Sequence, residues 1–198
     1  MHDRPKVTSP VRDPDPRVLD RAREGDLGAF EELVRASQAE VYRFALHLTR
    51  ERPMAEDVTQ ETYLRAFRFL SSFRGDCRFS SWLLRICRNC SMDALRARSQ
   101  RAERDLLDPD PASVSGSAPV ATGDAAARVE LQTALDAVSE EHREPFLLIE
   151  VYGLSYRETA DVLQVRVGTV KSRMHRARKA MCEALTLDEP DEGDTGAV

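Results

Sequence analysis

The stretch from Leu154 to Ala180 constrains the fold most, because it carries the signals of two short helices joined by a tight turn. Ser155, followed three residues later by Glu158, forms a capping box that predicts a helix beginning at Tyr156. Beyond the turn, apolar residues recur at steps of four, three and four, which marks one stripe of a second helix. These residues are Val170, Met174, Ala177 and Met181.

The other faces of this second helix are basic. They carry Lys171, Arg173, Arg176, Arg178 and Lys179, and no acid occurs between Arg166 and Ala180. A solvated amphipathic helix is the alternative interpretation, but such helices usually carry both signs of charge. A buried seam with a basic outer face is what the major groove of DNA accepts. The stretch therefore predicts a DNA-binding helix-turn-helix.

A formal net charge of −5 over 198 residues is unexpected for a nucleic-acid binder, but the acids are unevenly placed. Nine of them lie in a middle stretch and in the tail, where no base offsets them: Asp105, Asp108, Asp110, Asp124, Asp188, Glu189, Asp191, Glu192 and Asp194. Without these nine charges the formal net charge becomes +4. The position of the charge matters more than its sum. We expect these acids to compete with phosphate for the basic surfaces.

The sequence contains no apolar run that approaches the ~20 residues needed to span a membrane. The first sixteen residues contain no hydrophobic segment and so do not form a secretory signal. We therefore expect a cytoplasmic protein without membrane insertion, whose four cysteines are reduced.

Helical signals follow one another from Arg17 onward, and no strand alternation is convincing. The sequence predicts an all-α fold of two small helical domains, residues 17–104 and 126–187, joined by a flexible acidic linker at 105–125. Residues 1–16 and the acidic tail at 188–198 are expected to be disordered. The 41% apolar content is enough for ordinary cores.

Helix caps and apolar spacing predict six further helices besides the two of the helix-turn-helix. Asp26 caps one that carries Phe30 and Leu33, and a separate helix carries Val41 to Leu48. Two more cover Met54 to about Leu70, opened by Pro53, and about Ser80 to Arg98. After the linker, one starts at about Ala126, and another, capped by Ser139, runs through Val151 and is ended by Gly153.

The helix from Met54 to Leu70 has two distinct faces. One stripe is expected to be core, and comprises Ala55, Val58, Thr62, Ala66 and Phe69. The other carries Asp57, Gln60, Glu61, Leu64, Arg65 and Arg68. A solvated face held by the Glu61–Arg65 pair is one interpretation. Because Leu64 stands in the middle of these polar side chains, a partner-binding patch is the other.

The helix from Ser80 to Arg98 places Trp82 among cations: Arg85, Arg88, Arg96 and Arg98. Aromatic rings beside cations suit single-stranded nucleic acid, because bases stack on the rings and phosphates are neutralised. The alternative is that Trp82 belongs to the core and the arginines only solubilise the helix, and for Trp82 itself the core is favoured.

Cys87 and Cys90 form a C-x-x-C pair, which is a weak signal. A structural zinc site needs four ligands, and neither the other two cysteines nor the four histidines are suitably spaced. Two cysteines three residues apart on a helix also serve as small apolar core residues. We expect no metal site and no cofactor. Motifs typical of enzymes, such as a Gly-rich phosphate loop or a nucleophile elbow, do not occur, so we expect no catalytic activity.

Three motifs together resemble one family. DVTQETYLRAFR (57–68), RFSSWLLRICRNCSMDALRAR (78–98) and the helix-turn-helix ending GTVKSRMHRARKAM resemble an extracytoplasmic-function sigma factor, group IV of the sigma-70 family. The resemblance extends from Leu19 to Leu185, and the motifs occur in the family's order. No segment between the domains is long enough for the middle domain of housekeeping sigma factors.

The resemblance implies a function in promoter-specific transcription initiation, with a partner for each surface. The D-x-x-Q-E face would bind the β′ clamp helices of core RNA polymerase through Asp57, Gln60, Glu61, Leu64 and Arg65. The tryptophan helix would melt and hold the −10 element through Arg78, Ser81, Trp82, Arg85, Asn89, Asp93 and Arg96. The recognition helix would read the −35 element through Arg166, Thr169, Lys171, Ser172, Arg173 and Arg176, with Arg178 and Lys179 on phosphates.

Further partners are implied by the same resemblance. The β flap of the polymerase would contact the C-terminal domain, the acidic linker would run along the RNA-exit path, and an anti-sigma factor would hold the protein inactive. The chain departs from the family at Gln164, where a turn glycine is usual, and at Arg166, where Ser or Pro usually opens the recognition helix. A left-handed non-glycine residue at the turn costs about 1–2 kcal/mol. A cation at a helix N-terminus opposes the helix dipole.

Two other classes of protein remain open from the residues alone. A stand-alone helix-turn-helix repressor or response-regulator effector would account for the last sixty residues, but it leaves the Asp57 face and the Trp82 helix unexplained. A redox or metal sensor would use Cys87 and Cys90. Binding to core RNA polymerase distinguishes the sigma interpretation from both.

Overall fold

The computed structural model describes residues 13–107 and 138–187, and every regular element in these two ranges is helical. This confirms the all-α fold. The first unit contains α1 (Pro16–Arg23), α2 (Leu27–Thr49), α3 (Arg52–Phe69), a 3-10 turn (Leu70–Ser72) and α4 (Phe79–Leu107). The second contains α5 (Glu140–Phe146), a π turn (Leu147–Val151), α6 (Tyr156–Leu163) and α7 (Val167–Leu187). The helix expected from Ala126, residues 1–12 and 188–198, and the predicted linker from residue 108 lie outside the described residues.

Short polar side chains begin the first two helices. Asp15 accepts a hydrogen bond from the backbone N–H of Arg17, and Asp26 accepts one from that of Ala29 at 3.0 Å. The bond from Ala29 lowers the pKa of Asp26, and a bond from Arg21 at 2.9 Å contributes as well. These caps position α1 across the start of α2.

The prediction of two helices between Asp26 and Leu48 was wrong, because α2 is one continuous helix. Residues 35–40 contain no proline or glycine, so nothing ends the helix there. Ser37 is buried in its middle, and its hydroxyl donates to the carbonyl of Leu33 at 2.7 Å. Its Oγ also lies 2.8 Å from the Tyr63 hydroxyl, which joins α2 to α3.

The core stripe of α3 is confirmed except at its end. Ala55, Val58, Thr62 and Ala66 are buried, whereas Phe69 is 57% exposed. Because α3 ends at Phe69 and the chain tightens into a 3-10 turn, the stripe continues at Leu70, which is 2% exposed. The prediction of Phe69 as a core residue was therefore wrong by one position.

The helix predicted from Ser80 to Arg98 is longer in the structure and runs from Phe79 to Leu107. Its continuation includes residues 105–107, the start of the stretch predicted to be a linker. Asp13, in the N-terminal segment predicted to be disordered, accepts hydrogen bonds from Arg78 Nε at 2.6 Å and from the backbone N–H of Ser80 at 2.9 Å. The latter bond satisfies one of the backbone donors that a helix start leaves unpaired.

The second unit has the predicted helix-turn-helix. Both bonds of the capping box are present: Ser155 Oγ accepts from the N–H of Glu158, and the Glu158 carboxylate accepts from the N–H of Ser155. The predicted seam of α7 is buried throughout, with Val170, Met174, Ala177 and Met181 at most 8% exposed. This seam packs α7 against α5 and α6.

The two units form one apolar cluster. The ring of Tyr152, which follows the π turn, meets Phe44 of α2 edge to face with 5.2 Å between ring centroids. Phe44 and Tyr152 are at most 2% exposed, and Leu148 beside them is fully buried. In addition, α4 packs against α6. Within the described residues, no helix is long and apolar enough to cross a membrane.

The turn between α6 and α7 gives a test of backbone strain. Gln164 adopts φ 56° and ψ 42°, the left-handed conformation that favours glycine. We expect Gln164→Gly to raise the free energy of unfolding by about 1 kcal/mol. Asp161→Gly, in the interior of α6, is the matched control and should lower it by about 0.5–1 kcal/mol. Thermal denaturation of the full chain compares the two, and equal destabilisation would contradict the account.

Candidate nucleic-acid and polymerase interfaces

The side of α7 opposite the buried seam is exposed and basic. Lys171, Ser172, Arg176 and Lys179 lie there in the open. Ser172 Oγ donates to the carbonyl of Thr169 at 2.9 Å, and Lys179 lies 3.8 Å from Glu183. Because a 3.8 Å pair between exposed side chains is weak, this surface is available to a polyanion.

Two of the predicted DNA-binding cations flank the seam and are held by acids of the same unit. Arg173 donates to Glu141 at 2.6 Å and lowers the pKa of that carboxyl group. Arg178 donates to Glu150, also at 2.6 Å, and this bond raises the pKa of the guanidinium. Unlike the exposed Lys171, Arg176 and Lys179, these two arginines are therefore bound to acids of their own unit.

The start of α7 has the geometry expected of a recognition helix. The backbone carbonyl of Arg166 accepts from the N–H groups of Thr169 and Val170, at 2.9 and 3.2 Å, so Arg166 stands at the N-cap position. Its side chain is exposed, as is Gly168. The free N–H groups and the arginine together form a positive end that suits an anionic ligand.

On α4, the predicted −10 residues share one helix face but differ in exposure. Asn89, Asp93 and Arg96 are exposed, Arg85 is half-buried, and Ser81 is 3% exposed. Trp82 is 8% exposed and belongs to an aromatic cluster, with ring centroids 5.1 Å from Phe73 and 5.7 Å from Phe79. Trp82 is therefore a core residue whose edge reaches the surface.

That edge opens into a cleft of about 700 Å³ between the two units. One wall comes from the first unit and includes Arg74, Ser81, Trp82 and Arg85; the other comes from α6 and its turn and includes Glu158, Asp161 and Gln164. Ser81 Oγ donates to Glu158 at 3.1 Å, and Arg78 Nε lies 3.9 Å from the same carboxylate. The second unit thus covers part of the surface predicted to bind the −10 element.

The exposed face of α3 has the amphipathic character that its sequence predicts. Asp57 and Gln60 are exposed, and Leu64 is 54% exposed between them and Phe67, which is 46% exposed. Phe67 packs edge to face on Phe30, with ring centroids 5.0 Å apart. An apolar pair fixed in place and ringed by polar groups is typical of a protein-binding surface.

Arg65 bridges this face to α4. Its Nε donates to Glu61 at 2.7 Å and its Nη1 donates to Asp93 at 3.0 Å. These bonds raise the pKa of the guanidinium, which stays charged. The bridge joins the exposed face of α3 to the face of α4 that carries Asp93.

Cys87 and Cys90 both face the core of the first unit, at 0% and 3% exposure. Burial raises the pKa of Cys87 to about 12 and also raises the pKa of Cys90. Metal binding and redox exchange both need the thiolate, which this environment disfavours. Within residues 13–107 and 138–187, no group of three His, Cys, Asp or Glu side chains is arranged to hold a metal ion.

Comparisons with known proteins agree with this geometry. Sigma-70 region 2 matches residues 33–101, and Sigma-70, region 4 matches residues 128–181. The RNA polymerase sigma-H factor of Pseudomonas aeruginosa is 33% identical over 184 residues, which cover 88% of this chain and 95% of that protein. The ECF RNA polymerase sigma-E factor of Escherichia coli is 32% identical over 83% of this chain and 90% of that one.

The chain belongs to the extracytoplasmic-function sigma factors of the sigma-70 family. Two solved structures resemble this sigma factor along most of its length. The sigma factor RpoE of Bartonella quintana, in complex with the anti-sigma factor NepR, has a TM-score of 0.66 and 27% identity over 82% of this chain and 99% of that one. CnrH, in complex with the cytosolic domain of CnrY, has a TM-score of 0.62 and 28% identity over 87% and 97%.

Sequence reasoning missed several residues of this sigma factor. Phe67 extends the exposed face of α3, and His175 is exposed beside Arg176 on α7. Arg88 and Glu158 were recognised on their own helices, but their contacts between the two units were missed, because only tertiary structure brings them to their partners. An aromatic residue at helical spacing from Leu64 was the one signal that pointed to Phe67.

The cysteine environments predict an order of chemical reactivity. Under native conditions at neutral pH, iodoacetamide should modify Cys182, which is exposed, and leave Cys87 and Cys90 intact. The reason is that burial keeps both as neutral thiols. Mass spectrometry of peptides, before and after unfolding in guanidinium, measures each site. Rapid native alkylation of Cys87 would contradict the core assignment.

Proposed function

We propose that this protein is a group IV sigma factor that binds core RNA polymerase through α3, holds the melted −10 element on α4 and reads the −35 element with α7. As a partner of the polymerase it would act in the cytoplasm and carry out no chemistry of its own. The observation that carries the proposal is the presence of three separate surfaces on one helical frame: an exposed apolar and acidic face, a partly exposed arginine-bearing face beside an aromatic cluster, and an exposed basic helix.

The polymerase contact is assigned to the face of α3 that carries Asp57, Gln60, Glu61, Leu64 and Arg65. Leu64 is 54% exposed, and burying its side chain against a partner would be favourable. Phe67 extends the same apolar patch, whereas Arg65 is committed to Glu61 and Asp93 and positions the face. We assign this face to the β′ clamp helices and the α5–α7 unit to the β flap.

The −10 contact is assigned to α4 and the segment before it: Arg78, Ser81, Trp82, Arg85, Asn89, Asp93 and Arg96. Asn89 and Arg96 are exposed along this face and Arg85 is half-buried, which suits a single strand whose phosphates run beside the helix. The edge of Trp82, fixed by Phe73 and Phe79, would support an unpaired base.

The −35 contact is assigned to α7, with Ser172 and Arg176 nearest the bases and Lys171 and Lys179 near phosphates. Arg166 and Thr169, at the helix start, would contact the backbone through the positive helix end. Arg173 and Arg178 donate hydrogen bonds to Glu141 and Glu150, so we assign to them the role of orienting α7 within its unit.

We also propose that an anti-sigma factor controls the protein. Support comes from the similar sigma factor RpoE, whose structure contains the anti-sigma factor NepR. CnrH, which is also similar to this chain, is bound to the cytosolic domain of CnrY. A partner that covers the face of α3 would compete directly with core polymerase.

The polymerase assignment is tested with Leu64→Arg and with charge reversal at Asp57. Each should abolish co-elution with core RNA polymerase and promoter-dependent transcription, because each disrupts a buried contact in the complex. Leu27→Arg is the matched control, since Leu27 is 66% exposed on α2, and it should bind core normally. Circular dichroism verifies folding, and normal core binding by Leu64→Arg would refute the assignment.

Base contacts and phosphate contacts are both proposed for α7, and removing one or the other should lower the DNA affinity in different ways. Arg176→Ala should cost about 1–3 kcal/mol on the preferred −35 sequence and relax the preference at particular bases. Lys179→Ala should weaken binding almost equally across sequences and lower the salt dependence. Titrations of holoenzyme on a set of −35 variants, at several salt concentrations, separate these effects. If both variants lose affinity equally for all −35 sequences, α7 contacts only phosphates and does not read bases.

A further inference from the structure

The helix that carries the proposed −10 residues begins without a capping side chain of its own. The backbone carbonyl of Arg78 accepts from the N–H of Trp82 at 3.0 Å, so Arg78 stands at the N-cap position of α4. Good N-caps are short side chains with an acceptor oxygen, whereas a guanidinium has only donors. The charge of Arg78 also lies at the positive end of the helix dipole. The start of α4 therefore depends on an acceptor from elsewhere in the chain.

Asp13 supplies that acceptor from 67 residues away. One of its carboxylate oxygens accepts from the backbone N–H of Ser80 at 2.9 Å, at the second helical position, where N-cap side chains bind. The other oxygen accepts from Arg78 Nε at 2.6 Å. This second bond raises the pKa of Arg78 and offsets its charge at the helix start. A single carboxylate thus caps α4 and holds its N-cap arginine.

The same N-terminal segment also contacts the other end of the connection between α3 and α4. There α1 packs against the 3-10 turn at Leu70–Ser72. Phe73, whose N–H donates to the carbonyl of Leu70 at 3.0 Å, leads from this turn into the aromatic cluster with Trp82. The segment from Asp13 to the end of α1 therefore fixes both ends of the stretch that presents the tryptophan edge.

The geometry favours a positioning role for Asp13 over competition with DNA phosphates. Ser80 is fully buried, so Asp13 and not water satisfies its N–H. Asp13 bonds Arg78 through Nε, which leaves the two terminal amino groups of the guanidinium, and the Arg78 side chain is 37% exposed. Glu158 lies 3.9 Å from the same Nε, too far for a hydrogen bond, so Asp13 sets the direction of the guanidinium.

We propose that Asp13 is a positioning residue for −10 binding, which fixes the first turn of α4 and directs the Arg78 guanidinium toward the single strand. Because Trp82 closes that turn, the same bonds fix the ring edge that would support an unpaired base. This inference rests on the proposed −10 function of α4 and deepens it. The surfaces proposed for polymerase and for the −35 element lie on α3 and α7, so their binding should not change.

Two substitutions of Asp13 and one control separate its contributions. Asp13→Ala removes both acceptor oxygens. Asp13→Asn keeps one acceptor, which can still cap Ser80, and replaces the other by a donor that cannot bond Arg78. Asp15→Ala is the matched control, because it removes the same charge and the same kind of cap from α1, two residues away.

Trp82 is the single tryptophan, and its N–H closes the first turn of α4, so its fluorescence reports the order of this turn. In the full chain without polymerase, Asp13→Ala should increase acrylamide quenching of Trp82, because an uncapped first turn frays. Asp13→Asn should increase it less, and Asp15→Ala should leave it at the wild-type value.

The DNA measurement uses holoenzyme and a promoter that the wild-type holoenzyme selects from a randomised duplex library. A fork template of that promoter leaves the non-template −10 strand unpaired. Asp13→Ala should lower the affinity for this fork severalfold, because a smaller fraction of molecules has the binding-competent start of α4. Asp13→Asn should lie between Asp13→Ala and the wild type, and Asp15→Ala should match the wild type. All variants should co-elute with core polymerase.

Unchanged Trp82 quenching in Asp13→Ala would overturn the proposed cap. Increased quenching with wild-type fork affinity would make Asp13 a structural residue only, which overturns the positioning role. Higher fork affinity in Asp13→Ala and Asp13→Asn alike would make Asp13 a competitor of phosphate, which also overturns it. A wild-type holoenzyme that binds the fork no better than the fully paired promoter would refute the proposed −10 function itself, whereas the quenching would still decide whether Asp13 caps α4.

Discussion

The apolar cluster in which Tyr152 meets Phe44 edge to face is the interaction on which the arrangement of the two units depends. Without it, the two helical units would each keep a core, since the seam of α7 packs on α5 and α6 and the first unit closes around α2, α3 and α4. With it, α6 lies against α4 and the acids of the second unit reach the arginines of the first. This cluster thus joins the two helical units into a single body.

The chain around Tyr152 places its ring against Phe44 through two neighbouring turns. Tyr152 follows the π turn, which directs its ring out of its own unit, and Gly153 next to it adopts φ 66° and reverses the chain toward α6. The capped start of α6 then places Glu158 within reach of Ser81. The sequence from Leu147 to Glu158 therefore determines both the local turn and the long-range contact.

Local patterns predicted most of the fold because they rest on neighbours in sequence. The capping box at Ser155, the seam from Val170 to Met181 and the proline at the start of α3 all depend on spacing within a helix, and the structure has all three. The errors arose where a helix ends or continues, as in the exposure of Phe69, because tertiary packing decides those positions.

The candidate site was predicted less completely, for a physical reason. Spacing along a helix shows which residues share a face, but it does not show which face another domain covers. Exposure of Leu64 followed from its position among polar residues. The pairing of Arg88 with Glu144 joins residues 56 apart in sequence, and no local pattern contains it.

The capping box of α6 has a consequence for the order of the helix-turn-helix. One oxygen of Glu158 belongs to the helix start and the other to the contact with α4. The first bond lies wholly within the α5–α7 unit, so the cap of α6 does not depend on the contact with α4. The start of the helix-turn-helix is therefore ordered by residues that are neighbours in sequence, whatever packs against its outer side.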